Sequence, residues 1–239
     1  MAESWMLDEL AYAGPEHLDA GFVAGFDRKQ GTDPAEAIEV LREHGLNQDS
    51  VLVDLGAGTG TLTLAAAPLC ARVVAADVSA PMLDFLRRRA EAAGLRNVRC
   101  VQAGFLSYQH EGPPADFVYT RNALHQLPDF WKAIALTRIA SMLAPGGVLR
   151  VEDLIYDFEP AQASAVFAEW FDGAVSDPAE GYTSADYAEH IRTEHSTFRW
   201  LFEPMLAAAG FTIARVSYDA SLYGDYVCVR QPATGRPPG

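Results

Sequence analysis

From position 51 onward the chain alternates short apolar runs with longer segments whose apolar residues recur at helical spacing. The runs 51–55, 73–76, 98–103, 117–120 and 148–153 are short and rich in β-branched residues, the pattern of strands buried on both faces. Between them, 61–69, 80–93 and 129–143 read as helices. Ser79 is a candidate N-cap and Gly94 a stop for the second of these. Pro145-Gly146-Gly147 reads as a turn into the fifth strand. Strands alternating with helices predict a parallel sheet with helices on both faces, and ligands of such sheets sit outside the carboxyl ends of the strands. Asp54, Asp77, Gly104, Asn122 and Asp153 all fall at or just past those ends.

The flanks depart from this rhythm. Residues 1–32 are irregular and aromatic, with Trp5, Tyr12, Phe22 and Phe26; Asp33-Pro34 then starts a helix over 35–44 that ends at Gly45. This leading segment, 1–45, can fold over a ligand or cap the core with its rings. Residues 154–203 hold many aromatics and no clear strand, which predicts two or three helices inserted after the fifth strand on the substrate side, most of their rings packed in core. A helix over 204–209 ends at Gly210. Strands over 211–218 and 226–230, joined through Gly224, predict an antiparallel C-terminal pair. The Pro- and Gly-rich stretch 231–239 reads as a flexible tail, and no internal repeat is visible, so residues 1–239 read as one domain.

Composition narrows the class. With 239 residues, 49% of them hydrophobic and 21% charged, the chain can bury a substantial core. No apolar run reaches the ~20 residues of a membrane span, and acids near Met1 replace the basic start of a secretory leader, so a cytoplasmic protein without membrane association is expected. Cys70, Cys100 and Cys228 are far apart and read as reduced thiols. The six histidines show no metal-ligand spacing, His190 and His195 being five apart, so no metal is expected. A net charge of −14 argues against a nucleic-acid partner, because that affinity rests largely on cations neutralising phosphates. Arg87, Arg88 and Arg89 read as a solvated helix face. Oligomeric state is not legible.

The candidate chemistry starts at Val51-Leu-Val-Asp-Leu-Gly-Ala-Gly-Thr-Gly60. A strand, three alternate glycines and a helix leave bare backbone against which a ligand can lie, with helix-start amides aimed at it. The spacing is neither that of a phosphate loop nor the full dinucleotide fingerprint. Asp54 beside the loop suits an ammonium group. Asp77, at the end of the next strand, stands where a carboxylate can grip two ribose hydroxyls. Together they describe a ligand with an amino-acid end and a nucleoside end.

Asp54-Leu-Gly-Ala-Gly-Thr-Gly60, Asp77-Val-Ser79 with Pro81 and Met82, Asp116-Phe-Val-Tyr-Thr-Arg-Asn-Ala-Leu-His125 and Leu143-Ala-Pro-Gly-Gly-Val-Leu149 resemble, in order and spacing, four motifs of the class I S-adenosylmethionine-dependent methyltransferases. The resemblance covers roughly 51–153 and is closest to small-molecule members of the type 11 and 25 kind. It implies an α/β fold with a Rossmann-like seven-stranded sheet, mostly parallel, ending in an antiparallel hairpin. It further implies S-adenosylmethionine as cofactor, with Asp54 holding the ammonium, Gly56, Ala57 and Gly58 along the methionine half, Asp77 on the ribose, and Val78 and Met82 flanking the adenine. Gly104 and Phe105 follow the third strand, where many relatives place an acid for the adenine amino group; this chain has none there. Asn122 and Ala123 lie near the methyl group.

His125 is a candidate general base for an O–H acceptor; it can equally be a helix-entry residue bonded to a backbone carbonyl. Methyl transfer to a small molecule is the leading expectation. A protein of this fold that binds S-adenosylmethionine without methylating, or one that methylates RNA, stands as the alternative.

Overall fold

The computed structural model describes residues 4–19, 21–23, 25, 26, 33–178 and 180–232, with the backbone alone at 15 and 16. Residues 233–239 of the expected tail lie outside the described residues, as do several positions of the leading segment.

The strands form where the apolar runs predict them: β1 (Val51–Leu55), β2 (Arg72–Asp77), β3 (Val98–Gln102), β4 (Ala115–Arg121) and β5 (Leu143–Tyr156). Between them run α2 (Thr61–Ala66), α3 (Ala80–Ala92) and α4 (Asp129–Met142), preceded by α1 (Ala35–Glu43). After β5 come α5 (Ala163–Asp172), α6 (Ser184–Thr193), the two-residue β6 (Thr197–Phe198), α7 (Arg199–Ala208), β7 (Phe211–Asp219) and β8 (Tyr223–Arg230). The sheet order is β3-β2-β1-β4-β5-β8-β7, with β6 attached to β5 off this path. Pairs among β1–β5 are parallel, and β8 runs antiparallel to both β5 and β7. The strand order reverses between β1 and β4, a crevice where ligands of such sheets bind.

Side-chain alternation along each strand feeds two cores. Val53, Leu55, Val74, Ala76, Val118, Leu149 and Val151 face α4 and α7 through Leu136, Ile139, Phe202 and Leu206. Leu52, Val73, Phe117, Tyr119 and Val148 face α1 and α2 through Leu41, Leu62 and Ala66. Each fully buried aliphatic side chain contributes roughly 1.5–3 kcal/mol, which makes the strand edges that carry the site a rigid platform. Ser79 caps α3 as its sequence suggests, its Oγ accepting from the Met82 amide at 3.2 Å.

Two local expectations are corrected. Pro145-Gly146-Gly147 does not precede the fifth strand but lies inside β5 as an irregularity: Leu143 pairs with Ala115 and Val148 with Phe117, and Gly146 takes a φ of +79°. Gly224 is not the hairpin link. It sits in β8 opposite Tyr218 and Asp153, where a larger residue would press on the Tyr226 ring, and the chain reverses through Ala220 and Ser221, both at positive φ.

The insertion is mainly helical, as its composition implies, but the expected bounds 154–203 are corrected: β5 continues to Tyr156, and Thr197–Phe198 form the short strand β6 beside it. Thr183 caps α6 in a reciprocal box with Asp186. Tyr156, Phe158, Phe167 and Phe198 pack edge-on and stacked beneath the insertion, and Trp170 stacks on Tyr187 with centroids 4.1 Å apart. Among the described residues no helix is long and apolar enough to cross a membrane.

Candidate active site

A cavity of about 530 Å³ opens over the carboxyl ends of β1, β2 and β4 and runs under the insertion, within the range of small-molecule sites. Asp54, Gly56, Ala57, Gly58, Asp77, Val78, Met82, Gly104, Phe105, Asn122, Ala123 and His125 all line it, so the residues singled out in the sequence converge on one space.

At one end, Asp77 is bound to the glycine turn. Its Oδ2 accepts from the Gly58 amide at 2.8 Å and its Oδ1 from the Ser79 amide at 2.8 Å. Burial raises its pKa, against the lowering effect of those two amides. Each oxygen keeps a further lone pair for a hydroxyl donor. Gly58 holds a φ of +54°, with open space beyond its Cα as far as the Phe26 ring 3.8 Å from where a Cβ would lie. Gly56 is required for a different reason: a methyl group there would collide with Ala123, so the β1 and β4 loops can meet only at a glycine.

Asp54 lies deeper, 3% exposed, and accepts from Thr63 Oγ1 at 2.6 Å. Burial pushes its pKa up to about 7, with the Thr63 bond opposing and the Asp77 charge adding to the rise. A ligand cation would relieve two neighbouring acids at once. Bare backbone at Gly58, two carboxylates spaced along the crevice and an apolar wall at Val78 and Met82 fit a ligand with an ammonium end and a nucleoside end.

The leading segment closes this end. Glu9, Ala13, His17, Phe22 and Phe26 line the cavity, and Ser79 Oγ donates to the His17 carbonyl at 2.6 Å. Glu9 is the residue that sequence reading missed. Its carboxylate fills the space that a Cβ at Gly104 would need and accepts from the Leu106 amide at 3.0 Å and from Ser107 Oγ at 2.9 Å. Burial raises its pKa against those hydrogen bonds. An acid therefore does stand past β3, supplied from the N-terminal segment.

At the other end, His125 enters just after β4. Its Nδ1 lies 2.5 Å from Asp153 Oδ1, and Asp153 Oδ2 also accepts from the Leu124 amide at 2.7 Å. The partner of His125 is thus a carboxylate, not a backbone carbonyl. Its Nε2 lies 2.9 Å from Glu194 Oε2 and 3.1 Å from the Gln126 amide nitrogen. Burial alone would lower the His125 pKa, but Asp153 and Glu194 together push it up to about 9. Burial would raise Glu194, yet His125 and His190 hold it well below the usual carboxylate range. Glu194 is held in place because the His195 amide donates to the His125 carbonyl at 2.9 Å. Trp170, Tyr187 and Tyr223 continue the wall. Asn122, between the two ends, takes a left-handed φ of +46°, a conformation that costs energy and collects at functional sites.

Comparison with known proteins identifies the family. A family model described as a methyltransferase domain matches residues 52–147. The chain is 30% identical over 171 residues to the demethylmenaquinone methyltransferase of Thermus thermophilus, covering 68% of this chain and 74% of that one. It is 32% identical over 196 residues to the trans-aconitate 2-methyltransferase of Paracidovorax citrulli, covering 74% and 70%. The magnesium protoporphyrin IX methyltransferase of Synechocystis, solved with bound S-adenosylmethionine, superposes with a TM-score of 0.63 over 96% of this chain and 100% of that one, at 15% identity, a likeness of fold. The chain belongs to the class I S-adenosylmethionine-dependent methyltransferases.

Proposed function

We propose that this methyltransferase alkylates a small-molecule acceptor seated between His125 and the helices α5 and α6. One observation carries this reading: the cavity does not end at the cofactor residues but continues past Asn122 into a pocket walled by Trp170, Tyr187, Tyr223, His190 and Glu194. Flat apolar rings with a few convergent polar groups suit a small molecule with a planar or apolar body and a polar head. Among the described residues that line the cavity, Asp186, Glu189 and Glu194 face the acceptor end against the single Arg121, the opposite of the cationic track that a nucleic acid requires.

Cofactor roles follow from position. Asp54 pairs with the ammonium, the backbone of Gly56, Ala57 and Gly58 lies along the methionine chain, and Asp77 accepts the ribose hydroxyls. Val78 and Met82 sandwich the adenine, with Phe105 and Gly104 at its edge, and Glu9 takes its amino group. When bound, S-adenosylmethionine supplies a methyl group on a positively charged sulfur, which is already a good leaving group. The protein's share is then to hold the acceptor in line beside Asn122 and Ala123 and to exclude water. His125 has both ring nitrogens engaged by carboxylates, so its part is to position the acceptor and Glu194.

Methyl transfer from labelled S-adenosylmethionine to a panel of phenols, carboxylic acids, amines and thiols tests this reading. Once an acceptor is found, Trp170→Ala and Tyr187→Ala should raise its KM at unchanged cofactor affinity. If both variants keep the wild-type acceptor KM, the assigned pocket is wrong.

A further inference from the structure

We propose that His125, His190 and Glu194 form a binding site for one divalent first-row transition-metal ion, open to the acceptor end of the cavity. Each residue offers one donor atom, His125 Nε2, His190 Nδ1 and Glu194 Oε2, and the three atoms lie within 4.8 Å of one another. His190 lies in the last turn of α6 and Glu194 is its C-cap, whose backbone N–H donates to the His190 carbonyl, so the helix end brings the two side chains together. Glu194 already contacts His190 Nδ1 as well as His125 Nε2.

What separates this cluster from a chance meeting of side chains is its surroundings. The far ring nitrogen of each histidine is held by a fixed partner. His125 Nδ1 faces Asp153 Oδ1 at 2.5 Å, and His190 Nε2 faces Ser196 Oγ at 2.7 Å. Asp153 is in turn fixed by backbone amides, and Ser196 is hydrogen-bonded to Tyr156. Such outer partners fix which nitrogen points inward and how the ring is turned, the arrangement found around metal-ligating histidines. The segment that carries Glu194 is anchored as well, by the His195 amide on the His125 carbonyl and by β6 pairing with Ile155 and Tyr156 of β5.

Two imidazoles and one carboxylate suit borderline divalent ions such as zinc, iron(II), cobalt(II) or nickel(II), not magnesium or calcium. Three protein ligands that all line the cavity leave coordination positions facing it, which marks a site built to meet a substrate rather than to staple a fold. The Gln126 amide, 3.1 Å from His125 Nε2, sits beside the open side. Resting on the small-molecule reading above, an ion there would hold a hydroxyl or thiol of the acceptor and lower its pKa, supplying at neutral pH the nucleophile that methylation needs.

The test uses untagged full-length protein, treated with chelator and dialysed, titrated with Zn²⁺ by calorimetry with S-adenosylhomocysteine at saturation. One zinc per chain is expected. Ser196→Ala should weaken zinc by roughly 10–100-fold, as removal of an outer partner does, and Glu194→Gln and His190→Ala by more. Cofactor-product affinity, measured on the same samples, should stay at the wild-type value and so report an intact fold. Absence of stoichiometric zinc, or zinc affinity unchanged in both Glu194→Gln and His190→Ala, overturns the site. Wild-type methyl transfer in chelated protein overturns the anchoring role while leaving the methyltransferase reading intact. If zinc binds as described but no small acceptor is ever methylated, the site stands and the acceptor reading fails.

Discussion

Asp153 binds His125 and the turn that presents it with a single carboxylate. Oδ1 meets His125 Nδ1 at 2.5 Å, while Oδ2 gathers the amides of Ala123, Leu124 and His125 at 3.2, 2.7 and 3.3 Å. His125 follows the carboxyl end of β4 and Asp153 lies inside the neighbouring β5, three residues before its end, so the sheet itself sets their distance. Asparagine at 153 keeps one acceptor oxygen and puts an NH2 donor in place of the other, so either the buried imidazole or the three amides lose their acceptor. Breaking such a pair costs about 3–5 kcal/mol. Asp153→Asn should therefore lose about that much in urea denaturation, whereas Glu194→Gln, at the more exposed edge of the same cluster, should lose far less. An Asp153→Asn variant within 1 kcal/mol of wild type, judged against the ~1 kcal/mol of an ordinary hydrogen bond, would show that the turn holds its shape without it.

Asp77 is expected to dominate cofactor affinity. Hydrogen bonds to a charged acceptor contribute about 1.5–3 kcal/mol each, so losing two to the ribose predicts at least a tenfold weaker Kd for S-adenosylhomocysteine. The same carboxylate also secures the Gly58 and Ser79 amides. Asp77→Asn, which keeps one acceptor oxygen, should fall between wild type and Asp77→Ala. Calorimetry on all three decides it, and equal affinities would remove Asp77 from the ribose.

Asp54 predicts a pH dependence. Its folded pKa is raised, to about 7, above the ordinary carboxylate value. An acid shifted upward binds more protons folded than unfolded between its two pKa values. Hence the ligand-free protein loses stability as pH rises from about 4 to about 7, and the loss is complete above the folded pKa. Cofactor binding has the opposite sign, because the ammonium needs the ionised form: affinity should increase as pH rises from 6 to 8 and level off above. Asp54→Asn should bind more weakly and show a flat profile over that range. A wild-type profile that is already flat would place the ammonium elsewhere.

The parts of the site that the sequence made legible are those encoded within one strand and the turn after it. Asp54, the glycines, Asp77 and Asn122 are each fixed by their distance from a strand end, and strand ends can be read from apolar runs. The parts that were not legible reach the site through the chain's longer paths. Glu9 meets Leu106 across 97 residues, and nothing in its neighbourhood marks it as different from Glu3 or Asp8. His190 and Glu194 meet because the helix stops between them, with Glu194 as its extended C-cap, and no Gly or Pro marks that stop in the sequence. The chain reversal at Ala220 and Ser221, both at positive φ, is not legible either, because neither residue is of a type that usually takes positive φ. Gly224 looked like a turn residue, but its lack of a side chain serves the Tyr226 ring against which it packs.

The Glu9 contact gives a prediction that ties the leading segment to the cofactor. Glu9 and Gly104 share one space: the carboxylate lies where a methyl group on residue 104 would have to go. Gly104→Ala should therefore expel Glu9 from its hydrogen bonds with Leu106 and Ser107 and act through that expulsion alone. If Glu9 takes the adenine amino group, Glu9→Gln and Gly104→Ala should each weaken S-adenosylhomocysteine by several-fold, the effect of about 1 kcal/mol from one hydrogen bond. The double variant should be no weaker than either single, because residues acting through one contact are not additive. Inosine-based cofactor analogues, which carry a carbonyl oxygen in place of the amino group, should bind wild type poorly and discriminate less against Glu9→Gln. Additive losses in the double variant would mean that Gly104 meets the cofactor directly, and equal discrimination against the inosine analogue in wild type and Glu9→Gln would confine Glu9 to pinning the N-terminal segment.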